Sequence, residues 1–286
     1  MAEMNIPEGF DLLLKFAMKD KPGELNGTAI WNKFVQAGLV GGGRSEADIQ
    51  LLIKILDKAN LLKLENVNKL SGDDWSVAVE KIIRNEQLRV KFDEDKVMMN
   101  NFLKELFRIT ASIKGSARFF ERRAVIKNID EYTKDDKTTN EFIEEICDDE
   151  DVSNIKNTKV VLWLHSIGRA KNNIPATRHV KTFTNLVYGY YAYYDDNKYF
   201  LGKSQEILKE MQKKVKADGY TFSKAVFLYV SVKSMVPRGF GKEFTVMKFL
   251  EFIKKKKLTA SNLAKELAVL DKRWKLMADI DKFSRK

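Results

Sequence analysis

The chain has 286 residues, with 51 Lys and Arg against 40 Asp and Glu, a formal net charge of +11, and one cysteine. That length suits one large domain or two small ones around a substantial core. A single cysteine excludes an intrachain disulfide, two histidines leave little for a metal site, and no apolar run approaches the ~18 residues that span a bilayer.

Glycine and proline are sparse, and Leu, Lys, Glu, Ala and Met dominate most segments, so a mainly α-helical chain is expected. The charge is unevenly placed. Residues 151–286 hold 28 Lys and Arg against 12 Asp and Glu, a net of +16, whereas residues 1–150 hold 23 against 28, a net of −5. A basic half attracts polyanions through counterion release and needs no base sequence to do so; a solvated lysine-rich surface is the plainer reading of the same residues. An acidic half beside a basic half also permits head-to-tail attraction between copies. Residues 1–5 carry neither a basic n-region nor an apolar h-region, and a cytosolic setting is expected.

Residues 1–65 read as a small helical unit. Phe10, Leu13, Leu14 and Phe16 suit one helix, and Ile30, Trp31, Phe34 and Val35 a second that starts at Gly27-Thr28. Gly41 to Gly43 break the chain, and Ser45 with Asp48 then forms a capping box for a third helix. Leu61 to Leu64 behind three short helices outline a winged helix. The third helix has few basic residues on its exposed side, however, so a helical cap for self-association is preferred. Leu70 to Asp74 open a new unit, with a helix through Trp75, Val79 and Ile83. Leu88, Val90 and Phe92 alternate with Arg89 and Lys91 as a short strand would, and 97–110 reads as a helix. Ser112 to Ala117 read as a polar turn leading into Arg118, Phe119, Phe120, Arg122 and Arg123. The acidic run 139–151 reads as a helix end and loop between the acidic and basic halves.

In the basic half, a buried helix is expected over 156–167. A loop with Arg169 and Lys171 follows, then an aromatic helix over 177–194, which Arg178 and Lys181 open. The turn Asp195 to Gly202 holds Lys198 and Tyr199. Further helices are expected over 203–216, 222–234 and 242–257, and a last helical segment over 259–286 whose apolar face could dock on another subunit.

Nucleophilic catalysis has no recognisable residue set, no phosphate-cradling glycine loop is present, and neither metal nor cofactor is expected. The stretch 156–183 is faintly similar to the segment of helix-hairpin-helix DNA glycosylases that leads to their catalytic aspartate. Ala176 or Thr177 stands at that place here, and without a carboxylate the chemistry fails. The alternatives kept are such a nucleic-acid enzyme or a DNA-binding protein. Binding a single strand without base preference needs cations along its phosphates and flat side chains against its bases. Three clusters qualify: Arg118, Arg122 and Arg123 around Phe119 and Phe120; Arg169, Lys171, Arg178 and Lys181; and Lys198 with Tyr199, continued by Lys203, Lys209, Lys213, Lys214 and Lys216. Core packing is the plainer role for tyrosines 188–194.

From about residue 67 onward, the order of features resembles tospovirus-type nucleocapsid proteins of the bunyaviruses. The resemblance runs through Lys69 to Val77, Arg89 to Asp95, Phe120 to Ala124, Asn157 to Leu164 and Asp196 to Gly202, and ends in a helical C-terminal arm. It implies a mainly α, bilobed nucleoprotein with a central RNA-binding cleft. The segments would be an N-terminal extension of 1–65, lobes of 66–150 and 151–257, and an arm of 258–286. It implies RNA contacts by Arg122, Arg123, Lys198 and Tyr199. It also implies a non-catalytic protein in the virion and host cytoplasm. Its expected partners are single-stranded RNA, further copies held by arm exchange, and a viral polymerase, with no membrane insertion.

Overall fold

A computed structural model describes residues 6–39, 46–58, 60–84, 108, 111–188, 208–235, 246–268, 275–276, 278–280 and 282–283. The chain is mainly helical, and no strand occurs among the described residues. The helices are α1 (Phe10–Met18), α2 (Thr28–Leu39), α3 (Glu46–Lys58), α4 (Leu64–Lys69), α5 (Gly72–Ile83), α6 (111–122), α7 (Val125–Tyr132), α8 (Asp136–Asp148), α9 (Asn157–Ser166), α10 (Arg178–Tyr188), α11 (208–215), α12 (Gly219–Met235), α13 (Val246–Lys255) and α14 (Ala260–Ala268).

Contacts divide the chain into an inserted unit, 23–169, and a discontinuous unit made of 1–22 and 170–286. These limits differ from the expected segments. The first helix of the expected 1–65 extension belongs with the C-terminal residues, and α2 to α4 belong to the inserted unit.

The discontinuous unit is organised by α12, whose apolar residues point in all directions and which α1, α10 and α14 pack against. Phe10, Leu13, Leu14 and Ala17 recur at helical spacing and are buried. They join Phe183, Leu208, Met211, Phe222, Phe249, Phe252, Leu263, Leu267, Leu276 and Ile280 in one core. The described part of the expected C-terminal arm therefore packs on its own unit, with Phe283 edge-on to Phe252. Asp218 starts α12: its Oδ1 accepts from the Thr221 amide at 2.8 Å and its Oδ2 from Lys21 Nζ at 2.5 Å.

The core of the inserted unit is aromatic. Trp31, Phe34, Phe120 and Trp163 meet at ring separations of 4.7–5.9 Å, and Phe119 and Phe142 extend the cluster. Both indoles of this cluster donate to a carbonyl. Trp31 Nε1 donates to Leu62 at 2.7 Å and Trp163 Nε1 to Ile30 at 3.0 Å. Leu61 and Leu62, read as the start of a wing, are buried and turn into α4. Ser71 caps α5, its Oγ accepting from the Asp74 amide at 3.0 Å.

Residues 112–117 are helical, not the expected turn. The serine hydroxyls are satisfied, Ser116 Oγ locally by donating to the Ser112 carbonyl and Ser112 Oγ by a tertiary bond to the Ser153 carbonyl. Gly115 supplies contact area rather than a break. The segment 149–154 runs along α6, and the Asp151 carbonyl lies where a Cβ on Gly115 would be. The strand expected around 88–92 lies outside the described residues, as does the 97–110 helix apart from Arg108.

Replacing Gly115 with alanine should cost about 1–3 kcal/mol of stability by forcing the 149–154 segment outward, read as a lower urea midpoint. Burial alone would raise the Asp218 carboxyl, but the Lys21 ammonium and the Thr221 amide and hydroxyl outweigh it and hold it below the usual range. This stabilisation is complete above the unfolded carboxylate value of about 3.9 and is lost as pH falls through the lower folded value. The gap in urea midpoint between the wild type and Asp218→Asn should therefore close below about pH 4.

Candidate nucleic-acid interface

The expected basic residues fall into three groups. Arg118, Arg122 and Arg123 lie at the C-terminal end of α6, in the inserted unit, and Arg169 belongs to the same unit. Lys171, Arg178, Lys181 and Lys213 belong to the discontinuous unit. Lys198 and Tyr199 lie outside the described residues, as do the side chains of tyrosines 188–194.

The arginine group is already engaged. Arg122 Nη2 meets Asp149 Oδ2 at 2.5 Å and its Nη1 meets Asp151 Oδ2 at 2.7 Å. Both bonds raise its pKa. Arg123 forks onto Glu145, with Nε to Oε1 at 2.6 Å and Nη2 to Oε2 at 2.9 Å, and lies over the Tyr132 ring. Arg118 is looser, at 3.9 Å from Asp151. The acidic residues come from the end of α8 and the segment after it. Helix α8 is started by Asp135, whose Oδ1 accepts from the Thr138 amide at 2.8 Å.

The aromatic half of this cluster reads differently from the expectation. Phe119 and Phe120 are buried in the aromatic core and present no face to a base. They supply a floor, with the Arg122 guanidinium 5.8 Å from the Phe119 centroid.

Arg169 is a tie within its unit. Only 8% of its side chain is exposed, and it pairs with Glu24 at 2.5 Å and with Asp130. Beside it the Leu25 amide donates to the Ile167 carbonyl at 3.1 Å. Gly168, at φ 79°, passes so close to Gly23 and Glu24 that a side chain would collide with their backbone. The Arg169 guanidinium is taken up by two carboxylates and leaves little exposed surface for a phosphate.

The discontinuous unit carries the exposed basic surface. Helix α11 buries Leu208, Met211 and Gln212 and exposes Lys209 and Lys213 one turn apart on one face, with exposed Lys216 just past its end. Lys216, at φ 52°, closes the helix, with the Ala217 amide donating to Gln212. None of these three lysines, nor exposed Arg178, has a carboxylate partner among the described residues. Lys254 to Lys257 are exposed at the end of α13, where the helix dipole favours cations. Lys171 is exposed and Lys181 half-buried. By unit rather than by half of the sequence, the discontinuous unit holds 28 Lys and Arg against 15 Asp and Glu, and the inserted unit 23 against 25. The net charges are +13 and −2.

Of Ala176 and Thr177, the residues compared with the glycosylase aspartate, Thr177 has a structural role: its Oγ1 accepts from the Val180 amide at 3.3 Å at the start of α10. Burial pushes the Cys147 thiol up. Among the described residues no cluster of His, Cys, Asp and Glu could hold a metal ion, and no helix is long and apolar enough to cross a membrane. No family model matches the chain, and neither a curated protein nor a solved structure matches it significantly.

Two elements of the site were missed by sequence reasoning. The carboxylates of Glu145, Asp149 and Asp151 were read as a boundary, because nothing in the chain signals that this segment returns to α6. Lys114 was passed over as part of a turn. It is buried and donates from Nζ to the Val67 carbonyl and, at 3.0 Å, to that of Asn68 at the end of α4. Burial holds its pKa below the ordinary lysine value.

Arg169→Ala should lower stability by about 1–3 kcal/mol through loss of a buried donor set, read in urea. The same variant should leave the salt dependence of any RNA binding unchanged.

Proposed function

We propose that this protein is a non-catalytic nucleocapsid protein that binds single-stranded RNA without base preference and oligomerises along it. One observation carries the reading: the net charge of +13 gathered in the discontinuous unit, together with exposed Lys209, Lys213 and Lys216 on and just past α11, none paired with a carboxylate among the described residues. A row of cations on a rigid helix holds a phosphate chain by counterion release, and stacking on exposed aromatic residues adds to it. Arg178, Lys171 and Lys213 are its supporting contacts. Lys198 and Tyr199 are proposed contacts on the strength of the family resemblance. Arg169 is left out of the proposed contact set because its charge is spent inside the fold. Further copies of the chain, joined by exchange of terminal segments, and a viral polymerase complete the proposed partners, and the virion and host cytoplasm the proposed setting.

Replacing Lys209, Lys213 and Lys216 together with glutamine should weaken binding to all RNA sequences alike. It should also reduce the log–log salt slope by about 2, at ~0.7 per phosphate contact on a single strand. Fluorescence anisotropy across a salt series reads both quantities. An unchanged slope, or strand cleavage by the wild type, would sink the proposal.

A further inference from the structure

We propose that Arg118, Arg122 and Arg123 form a phosphate-binding site that the chain masks with its own carboxylates, Glu145, Asp149 and Asp151 standing where RNA phosphates would bind. The inference rests on the RNA-binding reading and adds its regulation.

Three features support it. A guanidinium fork accepts carboxylate and phosphate in the same two-bond geometry, so the Arg123–Glu145 pair at 2.6 and 2.9 Å is a mimic of phosphate recognition. The arginines also remain reachable while paired: the Arg122 and Arg123 side chains are 51% and 42% exposed, whereas Asp149 and Asp151 are 17% and 28% exposed. Arg122 faces solvent with Asp149 and Asp151 behind it, whereas Arg123 and Glu145, 42% and 36% exposed, lie side by side at the surface.

The third feature is that the masking segment is anchored without its acidic side chains. Val152 and Ile155 are buried in the inserted unit. Ser112 Oγ donates to the Ser153 carbonyl, Arg108 to Asn154 at 3.0 Å, and the Asp151 backbone rests on Gly115. The segment can hold its place when the ion pairs open. The pairs are therefore exchangeable, and each incoming phosphate replaces a carboxylate rather than adding to a bare site. Masking lowers RNA affinity in the free protein. It makes the site respond only to a chain of phosphates, which can displace several carboxylates at once, and not to single anions.

The test uses the full chain, a fluorescent oligouridine and anisotropy at physiological salt. Asp149→Asn with Asp151→Asn should tighten binding by about threefold or more, since exposed pairs of this kind are each worth up to roughly fivefold. Glu141→Gln with Glu144→Gln changes net charge equally at exposed positions of α8 and should give a smaller gain. Adding Arg122→Gln and Arg123→Gln to the first variant should erase the gain. Helical circular dichroism checks the fold. If the double asparagine variant does not fold, Glu145→Gln opens the Arg123 pair alone and should still tighten binding. Equal gains from the two double variants would mean net charge alone, and no gain in a folded variant would mean a purely structural clamp; either overturns the masking. With wild-type binding intact, that result leaves the RNA reading standing. Absence of binding in wild type and variant alike overturns both.

Discussion

The close seating of 149–154 against α6 governs what the inserted unit can present to a ligand. It depends on a missing side chain. At Gly115 the Asp151 carbonyl takes the volume a Cβ would fill. That contact brings Asp149 and Asp151 within bonding distance of Arg122. It also lets Val152 and Ile155 reach the interior. Given the contact, the arginines at the end of α6 must be read with their counter-charges. Without it they would be an ordinary cationic patch. The aromatic cluster of Trp31, Phe34, Phe120 and Trp163 provides the stiffness that holds α6 in place, because close-packed rings leave little room for a helix to shift.

The two units handle charge in different ways. The inserted unit is close to neutral and pairs its arginines with its own carboxylates, Arg122 and Arg123 on the α8 end and the segment after it and Arg169 with Glu24 and Asp130. The discontinuous unit leaves Lys209, Lys213 and Lys216 solvated on α11. Exposed lysines separated by helical turns repel only weakly in water and keep their hydration. Such a surface is inexpensive to maintain in the free protein and is available to a polyanion at once.

Much of the helical layout was legible in the residues. Phe10, Leu13 and Leu14, and Trp31, Phe34 and Val35, announced their helices by spacing, and Thr28 marked a start that the structure reproduces. The turn expected at 112–117 failed because Ser and Gly weigh toward turns locally, whereas here a tertiary neighbour uses the missing Cβ and the serine hydroxyls find carbonyls. Phe119 and Phe120 were read as stacking surfaces because arginines flank them. Their burial depends on α2 and α9, far away in sequence. The same blindness applied to Arg169: a basic residue in a loop gives no sign that two carboxylates enclose it. Charge counted by halves of the chain was a fair guide, and it gains meaning when counted by unit.

The discontinuous unit has a consequence for synthesis. Helix α1 leaves the ribosome with Phe10, Leu13 and Leu14 needing partners in α12 and α13, which are made roughly two hundred residues later. At about 5–20 residues per second this is an interval of roughly 10–40 s. The inserted unit, 23–169, is made within that interval and is complete in sequence before α12 emerges, so it can form its aromatic core while α1 still lacks its partners. The pairing of α1 with α12 is therefore late, and its long sequence separation makes it slow. In a crowded polysome the waiting helix of one nascent chain meets the finished partner helices of another before its own have emerged.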